Sequence, residues 1–92
     1  MQRSPYSREN QVMAEILKEW RRAAGLTQKQ IGELALLRKS DVTKVETGVR
    51  MLSYFELRRW LAALALDIPL FDAEFEHRMQ GPLDPLVHDP RA

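Results

Sequence analysis

Leu26-Thr-Gln-Lys-Gln-Ile-Gly-Glu-Leu-Ala-Leu-Leu-Arg-Lys-Ser-Asp-Val-Thr-Lys-Val-Glu-Thr-Gly48 is the stretch on which the reading of this chain turns. Two short apolar-periodic segments flank a tight break, with Ile31, Leu34 and Ala35 in the first and Val42 and Val45 in the second. This spacing predicts two short helices that share one buried corner. Thr27 is placed to cap the first of them, and Gln30, three residues on, completes a Thr-x-x-Gln capping box. That helix should end near Ala35 or Leu36, and Leu37 should turn inward. The next should run from about Lys39 to Glu46, stopped by Thr47-Gly48, with Gly48 supplying a left-handed backbone. Its outer face is polar: Lys39, Ser40, Thr43 and Lys44. A short helix with its apolar side pinned and hydrogen-bonding residues facing out suits a DNA major groove.

Upstream, residues 1 to about 6 lack periodicity and contain Pro5, which predicts a flexible arm over residues 1–8. Ser7 is a plausible N-cap for a first helix. In that helix Met13, Ile16, Leu17, Trp20 and Ala24 recur on one face. Arg21 and Arg22 suit the negative end of its dipole, and Gly25 is the expected terminator.

Downstream, Val49 to Ser53 read as a linker carrying Arg50. Ser53 and Glu56 form a second capping box for a fourth helix. Its apolar residues Phe55, Leu57, Trp60, Leu61, Leu64 and Ala65 are spread too broadly for one stripe, so burial on more than one side is expected. Asp67-Ile68-Pro69 opens a fifth helix with Leu70, Phe71, Phe75 and Met79 as its apolar stripe, ended by Gly81-Pro82. The domain is thus expected over residues 9–80, with a disordered tail at 81–92.

A length of 92 residues suits one domain, and 45% hydrophobic residues suffice for one modest core. With no cysteine, disulfides and thiolate metal sites are ruled out, which fits a reducing cytoplasm. No apolar run approaches the roughly 20 residues of a membrane span, so a soluble, cytoplasmic protein without membrane association is expected. The net charge of +1 hides an asymmetry: residues 1–60 hold 12 Lys/Arg against 7 Asp/Glu, and residues 61–92 hold 2 against 6. A basic half carrying the polar helix suits an anionic partner. His77 and His88 are the only histidines, and neither has the spacing of a metal ligand set or a nucleophile–base pair. No glycine-rich phosphate loop is present. No enzyme activity, catalytic residue, metal or cofactor is therefore expected.

Laid out this way, the sequence resembles the Cro/C1-type helix-turn-helix family, also called the XRE family. The matching residues are Leu17 and Arg21, then Ala24-Gly25-Leu26-Thr27-Gln28, then Val42, Val45, Glu46 and Gly48, then Leu61 to Asp67. Residues 11 to 75 are covered. The resemblance implies an all-α, compact five-helix lambda-repressor-like domain, its helix-turn-helix formed by helices 2 and 3. Two positions depart from the family pattern. Gly32 stands where alanine is usual, at a helix-propensity cost of roughly 1 kcal/mol. Leu36 stands where glycine is usual in the turn. Because a leucine with positive φ is strained, a reshaped turn and a second helix one residue longer are expected.

By that resemblance, Thr27 and Gln28 at the start of the second helix would hold a DNA phosphate, in keeping with anion binding at helix amino ends. Lys39, Ser40, Thr43 and Lys44 would face the bases, with Arg38 and Arg50 as flanking phosphate contacts. Arg3 and Arg8 in the arm are further phosphate candidates. Arg21 and Glu46 resemble an ion pair that orients the third helix, so Glu46→Ala should weaken DNA binding more than stability. Phe71, Phe75 and Met79 stand as either a dimer patch or simply core. The implied function is sequence-specific double-stranded DNA binding by a homodimeric transcriptional repressor or regulator at a palindromic operator. The alternatives are an autoregulating antitoxin bound to a toxin, or a protein-interaction module on the same fold.

Overall fold

The computed structural model describes residues 7–80, which form five helices and, among the described residues, no strand. These are α1 (Arg8–Ala23), α2 (Gln28–Ala35), α3 (Lys39–Glu46), α4 (Tyr54–Ala63) and α5 (Ile68–Gln80). The expected tail and the first six residues lie outside the described region.

Each helix begins where a side chain satisfies an orphan backbone donor. The Ser7 hydroxyl accepts from the Asn10 N–H, and Asp67 Oδ1 accepts from the Leu70 N–H. Both capping boxes form: Thr27 with Gln30, and Ser53 with Glu56. The exception is α3, whose N-cap residue Arg38 makes no side-chain cap. α1 starts at Arg8, one residue earlier than an arm through residue 8 allows, because the Ser7 cap sets its start there. The Arg8 guanidinium then donates to the Arg78 carbonyl at the far end of α5.

α1 ends at Ala23, followed by Gly25 at φ 77°, and α3 is followed by Gly48 at φ 81°. Both left-handed turns fall where glycine was expected. The α2–α3 turn does not follow its expectation. α2 stops at Ala35, and Leu36 itself takes the left-handed conformation at φ 62°, ψ 44°. A carbon at Gly32 Cβ would sit 2.7 Å from the Leu37 carbonyl oxygen and 3.3 Å from Val42 Cγ2. The two departures therefore belong together: the turn keeps its shape at the cost of strain in Leu36, and the missing Cβ at 32 lets the following backbone close down on α2.

The core is built from Val12, Ile16 and Leu17 of α1, Ile31 and Ala35 of α2, Val42 and Val45 of α3, Trp60 and Leu61 of α4, and Phe71 of α5. Full burial of an aliphatic side chain of this size is worth roughly 1.5–3 kcal/mol before entropy is counted. α2 packs against both α3 and α4, while α1 packs against α3 and α5. α3 is thus seated on two neighbours by Val42 and Val45, and only its far side is free. Leu37 does turn inward onto this core.

Several residues expected to be buried are not. Phe55 is 67% and Leu70 53% exposed, Ala24 is exposed, and Ala65 lies beyond the end of α4 in a left-handed turn. α4 buries Trp60 and Leu61 fully and leaves its first turn outside. The stripe left open as dimer patch or core packs inward within this chain: Phe71 is 7% exposed, and Phe75 and Met79 are half-buried against the core. Trp20 meets Phe71 edge-on at 6.2 Å, and Phe75 stacks on its other side. Arg78 of α5 bonds Glu74 at 2.6 Å and Glu19 of α1 at 2.8 Å, which fastens α5 to α1.

Candidate nucleic-acid interface

The polar face of α3 carries Lys39, Ser40, Thr43 and Lys44, all exposed, on the side away from Val42 and Val45. Thr47, at the C-cap, is exposed beside them. Its hydroxyl is turned back onto the Thr43 carbonyl at 2.9 Å.

Behind this face lies a chain of hydrogen bonds that fixes the carboxyl end of α3. Arg21 Nε donates to Glu46 Oε2 at 2.6 Å and its Nη2 to Oε1 at 3.1 Å, while Nη1 reaches the Leu26 carbonyl at 2.6 Å. Both residues are buried, at 8% and 7% exposure. The planar guanidinium therefore ties α1, the α1–α2 turn and the end of α3 together with a bidentate grip. Gln28 extends the chain: its amide Nε2 donates to Glu46 Oε1 at 3.0 Å, and its Oε1 accepts from the Thr43 hydroxyl at 3.0 Å. The expected ion pair is thus in place, and it is one link in a four-residue relay from α1 to the polar face.

This geometry divides the phosphate candidates. At the start of α2 the Thr27 hydroxyl accepts from the Gln30 N–H and keeps its own proton, while the Gln28 amide gives one N–H to Glu46 and accepts from Thr43, so each side chain retains a donor for an anion. What faces outward there is the amino end of an eight-residue helix, a suitable seat for an anion. Arg38 is open, its side chain 83% exposed, with one 3.2 Å contact to Asp41. Arg50 is placed otherwise than expected. Its guanidinium grips Glu56 at 3.2 and 3.1 Å and sits 3.7 Å from Asp41, so its charge is matched by two carboxylates. Arg50 is a clamp between α3 and α4, and not a free cation. Hydrogen bonding to Arg50 holds the Glu56 carboxyl below its ordinary range, with the Ser53 backbone adding to the effect. Glu56 in turn pushes the Arg50 guanidinium up.

One supporting residue has no signature in the sequence. Asn10, 5% exposed in the first turn of α1, donates from Nδ2 to the Gly48 carbonyl. It secures the turn that follows α3 from a position 38 residues away. Periodicity could not single it out, because it reads as an ordinary first-turn asparagine.

The fold defines a helix-turn-helix protein, with α2 and α3 as the motif. A family profile described as a helix-turn-helix domain matches residues 12–73. The chain belongs to that family, and its resemblance to the Cro/C1-type regulators holds. Among solved structures, the wild-type restriction-modification controller protein C.Esp1396I superposes with a TM-score of 0.75 at 17% identity, over 82% of this chain and 99% of that one. The clp gene regulator ClgR from Corynebacterium glutamicum superposes with a TM-score of 0.74 at 18% identity, over 79% of this chain and 78% of that one. At such identities the likeness is one of fold. Curated protein sequences yield no match. No helix among the described residues is long and apolar enough to cross a membrane.

Proposed function

We propose that this chain binds double-stranded DNA sequence-specifically in the cytoplasm, as a homodimeric transcriptional repressor that reads a palindromic operator with α3 in the major groove. One observation carries this reading: Lys39, Ser40, Thr43 and Lys44 are exposed together on α3, while Glu46 and the two valines of the same helix are buried. A helix held this way presents side chains without spending binding energy on ordering them. Lys39 and Lys44 supply donors suited to guanine edges or phosphates, and Ser40 and Thr43 suit several base edges. The amino end of α2 and Arg38 take phosphates on either side. The controller and regulator named above support a regulatory role for the fold.

Homodimerisation draws support from a separate feature. Tyr54 and Phe55 open α4 at 56% and 67% exposure, beside Val49 and Met51 at 47% and 43%. Large apolar side chains exposed this close together mark a contact surface, and a second copy is the partner a palindrome requires. The same surface would serve the antitoxin reading, with a toxin in place of the second copy.

Selection of random duplex DNA by the purified protein tests the proposal, with Lys39→Ala/Thr43→Ala as the control. Enrichment of a palindrome by the natural protein alone supports it, and half-sites about one helical turn apart support the dimer. Weak, salt-sensitive binding with no enriched sequence overturns it in favour of a protein-interaction role.

A further inference from the structure

Thr43 sits on the exposed face of α3, yet its hydroxyl is turned into the protein. The hydroxyl oxygen lies 3.0 Å from Gln28 Oε1 and 3.2 Å from the Lys39 carbonyl oxygen, the two acceptors within reach of its one proton. Both acceptors belong to the chain itself. Gln28 is in turn oriented by its amide bond to Glu46 Oε1, so its carbonyl is aimed at Thr43 by a buried, charged group. A threonine has only two groups beyond Cβ, and its χ1 is restricted in a helix. With Oγ1 drawn to one side, the γ-methyl is the part left for a ligand.

We propose that Thr43 discriminates bases through this methyl group, by apolar contact with the 5-methyl group of a thymine. The inference rests on the DNA-reading role proposed for α3. It sharpens that role from "a hydroxyl that pairs with several edges" to a preference for one base. Apolar contact between a threonine methyl and the thymine methyl is an established form of major-groove readout. The hydroxyl, with its proton engaged, keeps only acceptor capacity, which would instead select an adenine or cytosine amine.

The test uses the selected operator with each thymine replaced singly by uracil, which removes only the methyl. Affinities are compared for the natural protein, Thr43→Val and Thr43→Ser. Val keeps a γ-methyl and loses the hydroxyl; Ser does the reverse. The readout is the thymine-to-uracil affinity ratio within each protein, so a general loss of binding from disturbing Gln28 cancels. A lost methyl contact corresponds to about fourfold in affinity. The expected result is a ratio of that size at one position per half-site for the natural protein and for Thr43→Val, and a ratio near one there for Thr43→Ser. The proposal is overturned if Thr43→Ser keeps the full methyl dependence, or if the natural protein shows none at any thymine of the site. Either result leaves sequence-specific reading itself intact, whereas failure to select any operator removes both proposals together.

Discussion

The two ends of α3 are fixed by different physics. At the carboxyl end, Glu46 and Arg21 form a buried bidentate pair that Gln28 and Thr43 extend to the surface. At the amino end no side chain caps the helix. There the Leu37 backbone closes onto Gly32, and Asp41 leans on Arg38 and Arg50 in partly solvated ion pairs. A buried pair sets geometry and tolerates no loss of one partner. Solvated pairs contribute little each and are readily screened. The aim of the polar face is therefore set at the carboxyl end, and its distance from α2 at the amino end.

The largest expected effect breaks the buried pair. Glu46→Ala leaves the Arg21 charge buried without its partner, which costs about 3–5 kcal/mol in chemical denaturation. This revises the expectation drawn from sequence, that DNA binding would suffer more than stability; burial of both partners makes the single substitution costly to the fold as well. Arg21→Met/Glu46→Leu separates the two roles. It should recover most of the stability lost in the single variant and leave DNA affinity low. Recovery of both would show that the pair does not orient α3.

Next comes the amino end. Gly32→Ala gains helix propensity but drives a methyl against the Leu37 carbonyl oxygen, so a net loss of roughly 1–3 kcal/mol is expected in thermal unfolding. A neutral or stabilised protein would mean that the turn yields more easily than its close packing implies.

A smaller effect belongs to the solvated clamp. Glu56→Gln keeps the capping acceptor for the Ser53 N–H and removes the charge facing Arg50, at a cost of about 1 kcal/mol or less near neutral pH. The Glu56 carboxyl is held below its ordinary value in the folded protein. Its contribution is accordingly full above the ordinary carboxylate range and is lost as pH falls through its lowered folded value. Unfolding curves of the two proteins should converge with acidification through that window. A constant gap across pH would assign the effect to something other than the charge.

The smallest expected change is a gain. Leu36 is 72% exposed, so Leu36→Gly removes left-handed strain and little buried surface. A stabilisation of about 0.5–1 kcal/mol is expected, net of the added freedom of glycine when unfolded.

Local chemistry made the fold legible. Thr27 with Gln30 and Ser53 with Glu56 act over three residues, so sequence spacing alone places these helix starts. Gly25 and Gly48 mark stops for the same reason. The third helix runs from Lys39 to Glu46 as expected, its end marked by Gly48 and its start following the turn at Leu36 without a side-chain cap. What could not be read depends on partners distant in sequence. Arg50 looks like a basic flank until Glu56 and Asp41 are seen around it. Gln28 reads from sequence as a phosphate ligand, and only the fold adds its bonds to Glu46 and Thr43. Phe55 and Leu70 fit an apolar pattern, but both lie on the outer side of the first turns of α4 and α5, away from Leu57, Ile68 and Phe71, which meet the core.

The contact between Gly32 and the Leu37 carbonyl bears on any attempt to redirect this protein by grafting. Replacing Lys39, Ser40, Thr43 and Lys44 with the corresponding residues of a relative that has alanine at the position of Gly32 would move letters without moving the hand that holds them. A methyl added at position 32 meets the Leu37 carbonyl oxygen at 2.7 Å, so making room for it requires the turn into α3 to shift away from α2. Side chains chosen for that shifted position would arrive here short or tilted. Under the DNA-reading role proposed for α3, specificity would be written jointly by the outward residues and by one absent carbon atom behind them.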